Sequence, residues 1–386
     1  MIWLGFIGLT ALIGPHRVVH RTYELERKEN LAWNSFKINN GGDDKVVSME
    51  NGRDAINKAG GDERFLVFEC GLSNSPCNGW GNRIAGIFNA YILSVISNRT
   101  FAIHLREPCD LVKYFLPNKI NWYRKFPQKV DVLYSGASIQ SLSSGAKFQL
   151  YDNLFNKSLT VISVKFFTYH SIHYMKHNNQ FKKRFIEMGF DEDKIKSMTF
   201  FNLPFNENIF DLLFRLTPEI EYQVNKYFDK KTKMICAHIR TGNDGEVLKP
   251  YHVQVRENIE FIGKFIQEQS ERDEYKTADI YIATDSTSAI AKLSKFIKKP
   301  LLTSEGSIVN IKRIKINGST PSTQKACDGL RKVILDWYIL SNCNNVIRAP
   351  GSTFSGTAMI RKRYSEVFKF VYWNNKPSFV HDDLFM

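Results

Sequence analysis

Met234-Ile235-Cys236-Ala237-His238-Ile239-Arg240-Thr241-Gly242-Asn243-Asp244 is the stretch whose reading decides the fold. It opens apolar, which predicts a buried strand starting near Met234. It then turns polar, with a glycine in the loop. Along an extended chain His238 and Arg240 share one face. Arg240 then leaves the carboxyl end of a sheet, where open α/β sheets bind their ligands. A guanidinium there can hold two phosphate oxygens at once. The alternative is a strand-end salt bridge from Arg240 to Asp244.

The surroundings repeat the pattern. Downstream, a helix is expected over about 253–270, a strand at Ile280-Tyr281-Ile282-Ala283 and a helix over about 286–297. Leu330, Val333, Ile334, Trp337 and Leu340 fall on one helical face, Asn345-Val346-Ile347-Arg348 reads as a strand, and a helix starts near Phe354. Upstream, Phe65-Leu66-Val67-Phe68 reads as a buried strand, followed by the turn-rich stretch 71–81. Ile84, Ile87, Phe88, Tyr91, Ile92 and Val95 recur at helical spacing, and Thr100-Phe101-Ala102-Ile103 is a second strand. That is a βαβ unit. Residues 105–230 are less regular, with a strand at Val161-Ile162-Ser163-Val164 and a charged surface helix and turn over 174–198. Two α/β halves, each opening with a strand into a loop, imply two Rossmann-like domains facing a cleft. We expect an N-terminal Rossmann-like domain over 63–228 and a C-terminal one over 229–386.

Three further motifs stand at strand ends. Gly79-Trp80-Gly81-Asn82-Arg83 opens the first helix: glycine permits close backbone approach, and Arg83 suits a phosphate or carboxylate. Its alternative is a tight turn with a surface arginine. Ala283-Thr284-Asp285 presents a carboxylate for a guanine edge or a ribose, or else an N-cap for the next helix. Gly351-Ser352-Thr353-Phe354-Ser355 offers hydroxyls and free amides as a diphosphate cradle, or else ordinary capping.

Composition bounds the rest. The chain has 386 residues, 43% of them hydrophobic and 24% charged, which suits two globular domains plus a tail. The net charge of +14 is scattered over short clusters with no nucleic-acid motif, so no nucleic-acid partner is expected. Met1–Gly14 is uncharged and apolar, shorter than a spanning helix, with Arg17 and Arg21 after it. Residues 1–21 are expected to be a signal peptide or signal-anchor remnant, and 22–62, rich in Asn, Gly and charge, a stem. Three sequons, at Asn98, Asn156 and Asn317, fit a luminal life. Of six cysteines, Cys70 with Cys77 and Cys327 with Cys343 suggest short loops, and Cys236 a buried thiol. No Cys-His cluster has zinc spacing. Asp191-Glu192-Asp193 has the letters of a metal-binding DxD but lies in a charged, helix-like stretch and reads as surface.

With these motifs in order, the chain resembles the GT-B fucosyltransferases: the protein O-fucosyltransferases, the α1,6-fucosyltransferases and the rhizobial nodulation type. His238, Arg240, Gly242 and Asp244 resemble their first motif, Asp285 the second, and Ser352, Thr353, Phe354 and Ser355 the third. Gly81-Asn82-Arg83 through Asn98-Arg99-Thr100-Phe101-Ala102 is similar to their opening βαβ, and Leu213-Phe214-Arg215 before Thr217-Pro218 to a segment between their domains. The resemblance covers roughly 64–104 and 210–363. It implies a GT-B fold and inverting transfer of fucose from GDP-fucose to a glycan or protein hydroxyl, without a metal or other cofactor. It implies that Arg240 holds the β-phosphate, that Asn82 and Arg83 approach the diphosphate from the other domain, that Asp285 binds guanosine, and that Ser352, Thr353 and Ser355 cradle phosphate. An inverting transfer calls for a carboxylate near the acceptor oxygen. Glu246 ranks first, then Asp244 and Glu69. The expected setting is the Golgi or endoplasmic reticulum lumen, as a type II membrane or secreted protein. Another nucleotide-sugar transferase, using GDP-mannose or a UDP-sugar, and a non-enzymatic binder of anionic glycans are the rival readings.

Overall fold

The computed structural model describes residues 63–70, 78–127, 129–136, 150, 152–166, 176–187, 190–198, 206–228, 233–242, 250–308, 321–361, 366–373 and 376–381. The expected signal segment and stem (1–62), Cys77, Asp244, Glu246 and the Asn317 sequon lie outside them. No helix of the described residues is long and apolar enough to cross a membrane.

The N-terminal half runs β1 (Phe65–Cys70), α1 (Trp80–Ile96), β2 (Thr100–Leu105), β3 (Phe115–Pro117), β4 (Val132–Gly136), β5 (Val161–Phe166), α2 (Asn179–Glu187), α3 (Glu192–Ser197), α4 (Asn206–Leu213), β6 (Phe214–Leu216) and α5 (Pro218–Phe228). The C-terminal half runs β7 (Met234–Ile239), α6 (Pro250–Glu257), α7 (Ile259–Glu271), β8 (Asp279–Thr284), α8 (Thr287–Leu293), β9 (Leu301–Leu302), α9 (Pro321–Leu340), β10 (Asn345–Arg348), α10 (Thr353–Arg361), β11 (Glu366–Trp373) and β12 (Lys376–His381).

Two sheets result. The first has the order β2-β1-β5-β4 and is parallel throughout. The second has the order β12-β11-β10-β7-β8-β9 and is parallel except for β12. Crossover helices cover parallel strands on both faces, so such strands read as continuous apolar runs. That is why β1 and β7 are buried along their whole length. Because the strands of each sheet are parallel, their carboxyl ends gather on one edge, and the motif loops gather with them.

The helix α1 departs from the single apolar face its spacing predicts: every residue except Asn82 and Val95 is buried. One side lies on β1 and β5, and the other takes α10 of the second half. Trp80 stacks on Phe115 at 5.8 Å and meets Trp337 of α9 edge-on at 6.4 Å, while Phe210 lies 5.1 Å from Trp337. These rings form one aromatic seam joining both halves. The helix α5 also packs on α9, so in space it sides with the C-terminal half.

The cysteine pairing corrects the sequence reading. Cys109 bonds Cys327 and Cys236 bonds Cys343, with Cα separations of 5.6 and 6.1 Å. Cys327 and Cys343 cannot pair, because α9 separates them by roughly 20 Å or more at 1.5 Å per residue. Cys236 is no free thiol, since β10 pairs with β7 and brings Cys343 alongside. Cys70 is also disulfide-bonded, to a partner outside the described residues. The Cys109–Cys327 bond ties the segment after β2 to α9 and so staples one half to the other. Cys109→Ser/Cys327→Ser should lose about 2–5 kcal/mol of stability. A melting curve unchanged from the parent would show that the aromatic seam alone holds the halves together.

Candidate functional site

The site grows from the carboxyl edge of the second sheet. In register, Ala237 of β7 stands beside Ile347 of β10, and Ile239 beside Thr284 of β8. Strand pairing alone therefore brings His238-Ile239-Arg240, Arg348 and Asp285 to one edge.

His238 is buried, and its Nδ1 lies 3.1 Å from the Ser355 hydroxyl. Its ring packs on Phe354 at 4.9 Å. Burial first, then the positive charges of Arg240 and Arg348 and the nearby His252, depress its pKa from 6.5 to about 3. His238 is thus a neutral strut joining β7 to α10. The sign of the pH effect follows. Below about 6.5 the unfolded chain binds a proton that folded His238 refuses, so stability falls with pH between about 6.5 and 3. The loss should approach ~1.4 kcal/mol per pH unit in that window. Denaturant titrations of the parent and His238→Gln at pH 7 and 5 measure it. An equal fall in both proteins would acquit His238.

Arg240 follows on the same strand end and is half-buried. Its Nε donates to Nε2 of buried His252, on α6, at 3.1 Å. That bond fixes the plane of the guanidinium. Its two terminal nitrogens make no hydrogen bond among the described residues, which leaves the fork suited to a diphosphate open.

Asp285 does not cap α8. Ser286 holds that position. Asp285 instead accepts from the amides of Thr241 at 2.9 Å and Gly242 at 3.1 Å, tying the β8 end to the β7 loop. Arg256 closes the other side, donating to the carbonyls of Thr241 and Gly242 at 3.0 and 3.1 Å. Between these loops lies a cavity of about 740 Å³ lined by Asp285, Arg256, Ser286, Lys292, Ile308 and Lys325, among others. Its size and its cations suit a nucleotide.

The third motif divides. Ser355 is bound to His238, whereas the buried Ser352 hydroxyl has no hydrogen-bond partner. Ser352 stands directly before α10, whose free amides point the same way. Thr353 and Phe354 open that helix and abut α1. A Cβ on Gly81 would lie 2.5 Å from backbone atoms of both Thr353 and Phe354. Only glycine allows this approach, so the N-termini of α1 and α10 converge. Asn82, one residue on, has a buried side-chain oxygen without a partner.

Arg83 departs from its expected role. It is 1% exposed, and its donors go to the carbonyls of Asn78, at 3.1 Å, and Glu107. It anchors the loop ahead of α1 instead of facing the cleft. Burial lowers its pKa to about 10, partly offset by Glu107. Glu69, a candidate base, is buried within β1, 4.0 Å from His104 Nδ1. Asp191 caps α3 through the Lys194 amide at 2.7 Å, in keeping with its reading as surface. Among the described residues no three His, Cys, Asp or Glu side chains cluster as metal ligands.

Sequence reading missed Arg348, His252, Arg256, Lys292 and Lys325. Arg348 ends a strand in the same way as Arg240, and that rule would have found it. The other four lie inside helices, with no local signal for where they point.

This is the architecture of the GT-B glycosyltransferases: two Rossmann-like domains with their strand ends toward a common cleft. Residues 204–376 match the family model of Nodulation protein Z (NodZ). That match spans the C-terminal sheet and its strand-end loops. Among solved structures, a point mutant of Arabidopsis thaliana FUT1 in complex with GDP aligns with a TM-score of 0.52 at 13% identity, over 92% of this chain and 78% of that one. NodZ α-1,6-fucosyltransferase soaked with GDP-fucose aligns with a TM-score of 0.49 at 13% identity, over 83% and 99%. POFUT1 in complex with GDP-fucose aligns with a TM-score of 0.39 at 13% identity, over 80% and 96%. No curated protein sequence matches the chain.

Proposed function

We propose that the protein is an inverting fucosyltransferase that moves fucose from GDP-fucose to a hydroxyl of a glycan or glycoprotein. One observation carries this reading: the Arg240 fork is open, two residues past His238, whose ring packs on α10, and the unpartnered Ser352 hydroxyl stands where the N-termini of α1 and α10 converge. Two helix N-termini and an arginine suit two adjacent phosphates. The cavity beside Asp285 then takes the nucleoside. Asn82 contributes an acceptor oxygen, which fits a sugar hydroxyl better than a phosphate. The NodZ match over 204–376 supports fucose as the sugar.

In the reaction, the bond from the fucose anomeric carbon to the β-phosphate oxygen breaks as one to the acceptor oxygen forms on the opposite face. GDP departs with the electron pair of the broken bond. Arg240, with Arg348 nearby and the helix dipoles behind it, stabilises that growing charge, so the protein's own cations serve where a metal otherwise would. The acceptor proton passes to a carboxylate, for which Glu246 stands first and Asp244 next. We place the enzyme in the Golgi or endoplasmic reticulum lumen, on the strength of its sequons and its disulfides. Asn98 and Asn156 are both exposed.

Release of GDP from GDP-fucose, with chelator present and beside GDP-mannose and UDP-sugars, tests this. Turnover of GDP-fucose alone is the expected result. Turnover of another donor instead would reassign the sugar. No donor binding by thermal shift would sink the transferase reading and favour the glycan binder.

A further inference from the structure

A buried polar cluster lies off the reaction path, behind the chain segment that supplies Ser307 and Ile308 to the nucleotide cavity. Lys332 and Asp336 sit one turn apart on α9, with Lys332 Nζ 3.3 Å from Asp336 Oδ2. Both are about 5% exposed or less. Tyr281, wholly buried in β8, donates its hydroxyl to Asp336 Oδ1 at 2.5 Å. Burying an ion pair and a phenol is costly unless every member is satisfied. All three converge on one residue outside the helix and the strand. Ser304 donates its hydroxyl to Asp336. Its amide donates to Tyr281 Oη at 3.1 Å. Its hydroxyl and carbonyl accept from Lys332 Nζ at 2.9 and 3.0 Å.

Ser304 belongs to the strap that follows β9. Two residues on, Gly306 has φ of +123°, and a Cβ there would lie 3.1 Å from the Cβ of Lys332. The strap therefore lies flat on α9 at the same lysine. Immediately afterwards Ser307 and Ile308 join Asp285 and Thr241 in lining the cavity. Apart from the pin, the strap is held by the two-residue edge strand β9 and by the Tyr227 hydroxyl, which donates to the Thr303 carbonyl at 3.0 Å.

We infer that Lys332, Asp336 and Tyr281 are positioning residues, which pin the strap at Ser304 so that Ser307 and Ile308 form a fixed wall for the nucleoside of the donor. None of the three lines the cavity. The inference rests on the nucleotide reading of that cavity. A wall ordered in advance spares the ligand the cost of ordering it, so the pin acts on affinity and not on bond breaking.

The experiment compares the parent with Lys332→Met/Asp336→Leu, which removes both charges together and leaves neither unpaired. Amide hydrogen exchange over 303–308 is measured without ligand, alongside GDP affinity and the KM and kcat for GDP-fucose. The expected result is faster exchange confined to 303–308, GDP affinity and KM weakened roughly 10-fold, and kcat held within about twofold. Unchanged exchange there would overturn the pin. Faster exchange with unchanged GDP affinity would overturn its role in binding. Should the double variant not fold, Ser304→Ala leaves the ion pair together and is read the same way. A parent protein that binds no GDP would sink the functional reading and the ligand half of this inference, while the exchange data would still decide the pin.

Discussion

Arg240→Ala is expected to lower fucose transfer by on the order of 10²-fold or more while leaving the fold intact. Among the described residues the guanidinium is held by one hydrogen bond, from Nε to His252, and its two terminal nitrogens stay open. Removing it takes nothing from the core, so the melting temperature should stay close to the parent's. The loss falls on the step that develops charge. As the anomeric bond stretches, negative charge grows on the departing diphosphate, and a preorganised cation beside it acts most strongly in the transition state. The variant should therefore lose kcat more than it raises KM. Arg240→Lys should recover only part of the loss, since an ammonium is a point charge without the planar fork and cannot take the Nε bond to His252 in the same plane. A raised KM with kcat unchanged would reduce Arg240 to an element of uniform binding, and the mechanism would then need another cation, with Arg348 the nearest candidate.

The parts of this site that were legible in the sequence are those dictated by strand register. The buried runs at Phe65, Met234, Ile280 and Asn345 predict β1, β7, β8 and β10, and parallel pairing carries their terminal residues to shared edges. That rule places Arg240, Asp285 and Ser352 at one edge. What escaped reading depends on contacts distant in sequence. The direction of Arg83 is set by the Glu107 carbonyl, 24 residues away. Asp285 serves the β7 loop instead of its own helix because that loop lies beside it in the sheet. The pair β3 and β6, three residues each, exists because the chain returns alongside itself after about a hundred residues, which no local pattern announces. The cysteines fall in the same class: pairing by nearness in sequence fails wherever a long helix separates the partners.

Gly81→Ala carries the second large effect, and it tests the junction of the halves instead of the chemistry. At a helix start, alanine is intrinsically favoured over glycine by up to about 1 kcal/mol. Here the added methyl would sit 2.5 Å from backbone atoms of Thr353 and Phe354, which cannot rotate away as a flexible side chain could. Overpacking of this kind typically costs about 1–3 kcal/mol, so the clash outweighs the propensity and the variant should melt several degrees lower. The larger effect is on activity. If α10 yields, Ser352 and the Phe354 contact with His238 move with it. A displacement of about 1 Å at the phosphates is enough to cost on the order of 10²-fold in rate. Gly263→Ala separates the two effects. Its Cβ would meet Phe296 and Leu293 side-chain atoms at 3.1–3.4 Å, within the C-terminal half and without touching α1 or α10. That variant should change stability modestly and leave kcat where it was. Full activity in Gly81→Ala would mean that the close approach of α1 to α10 does not set the donor geometry, and the case for a diphosphate held between two helix ends would fall back on Arg240 and Ser352 alone.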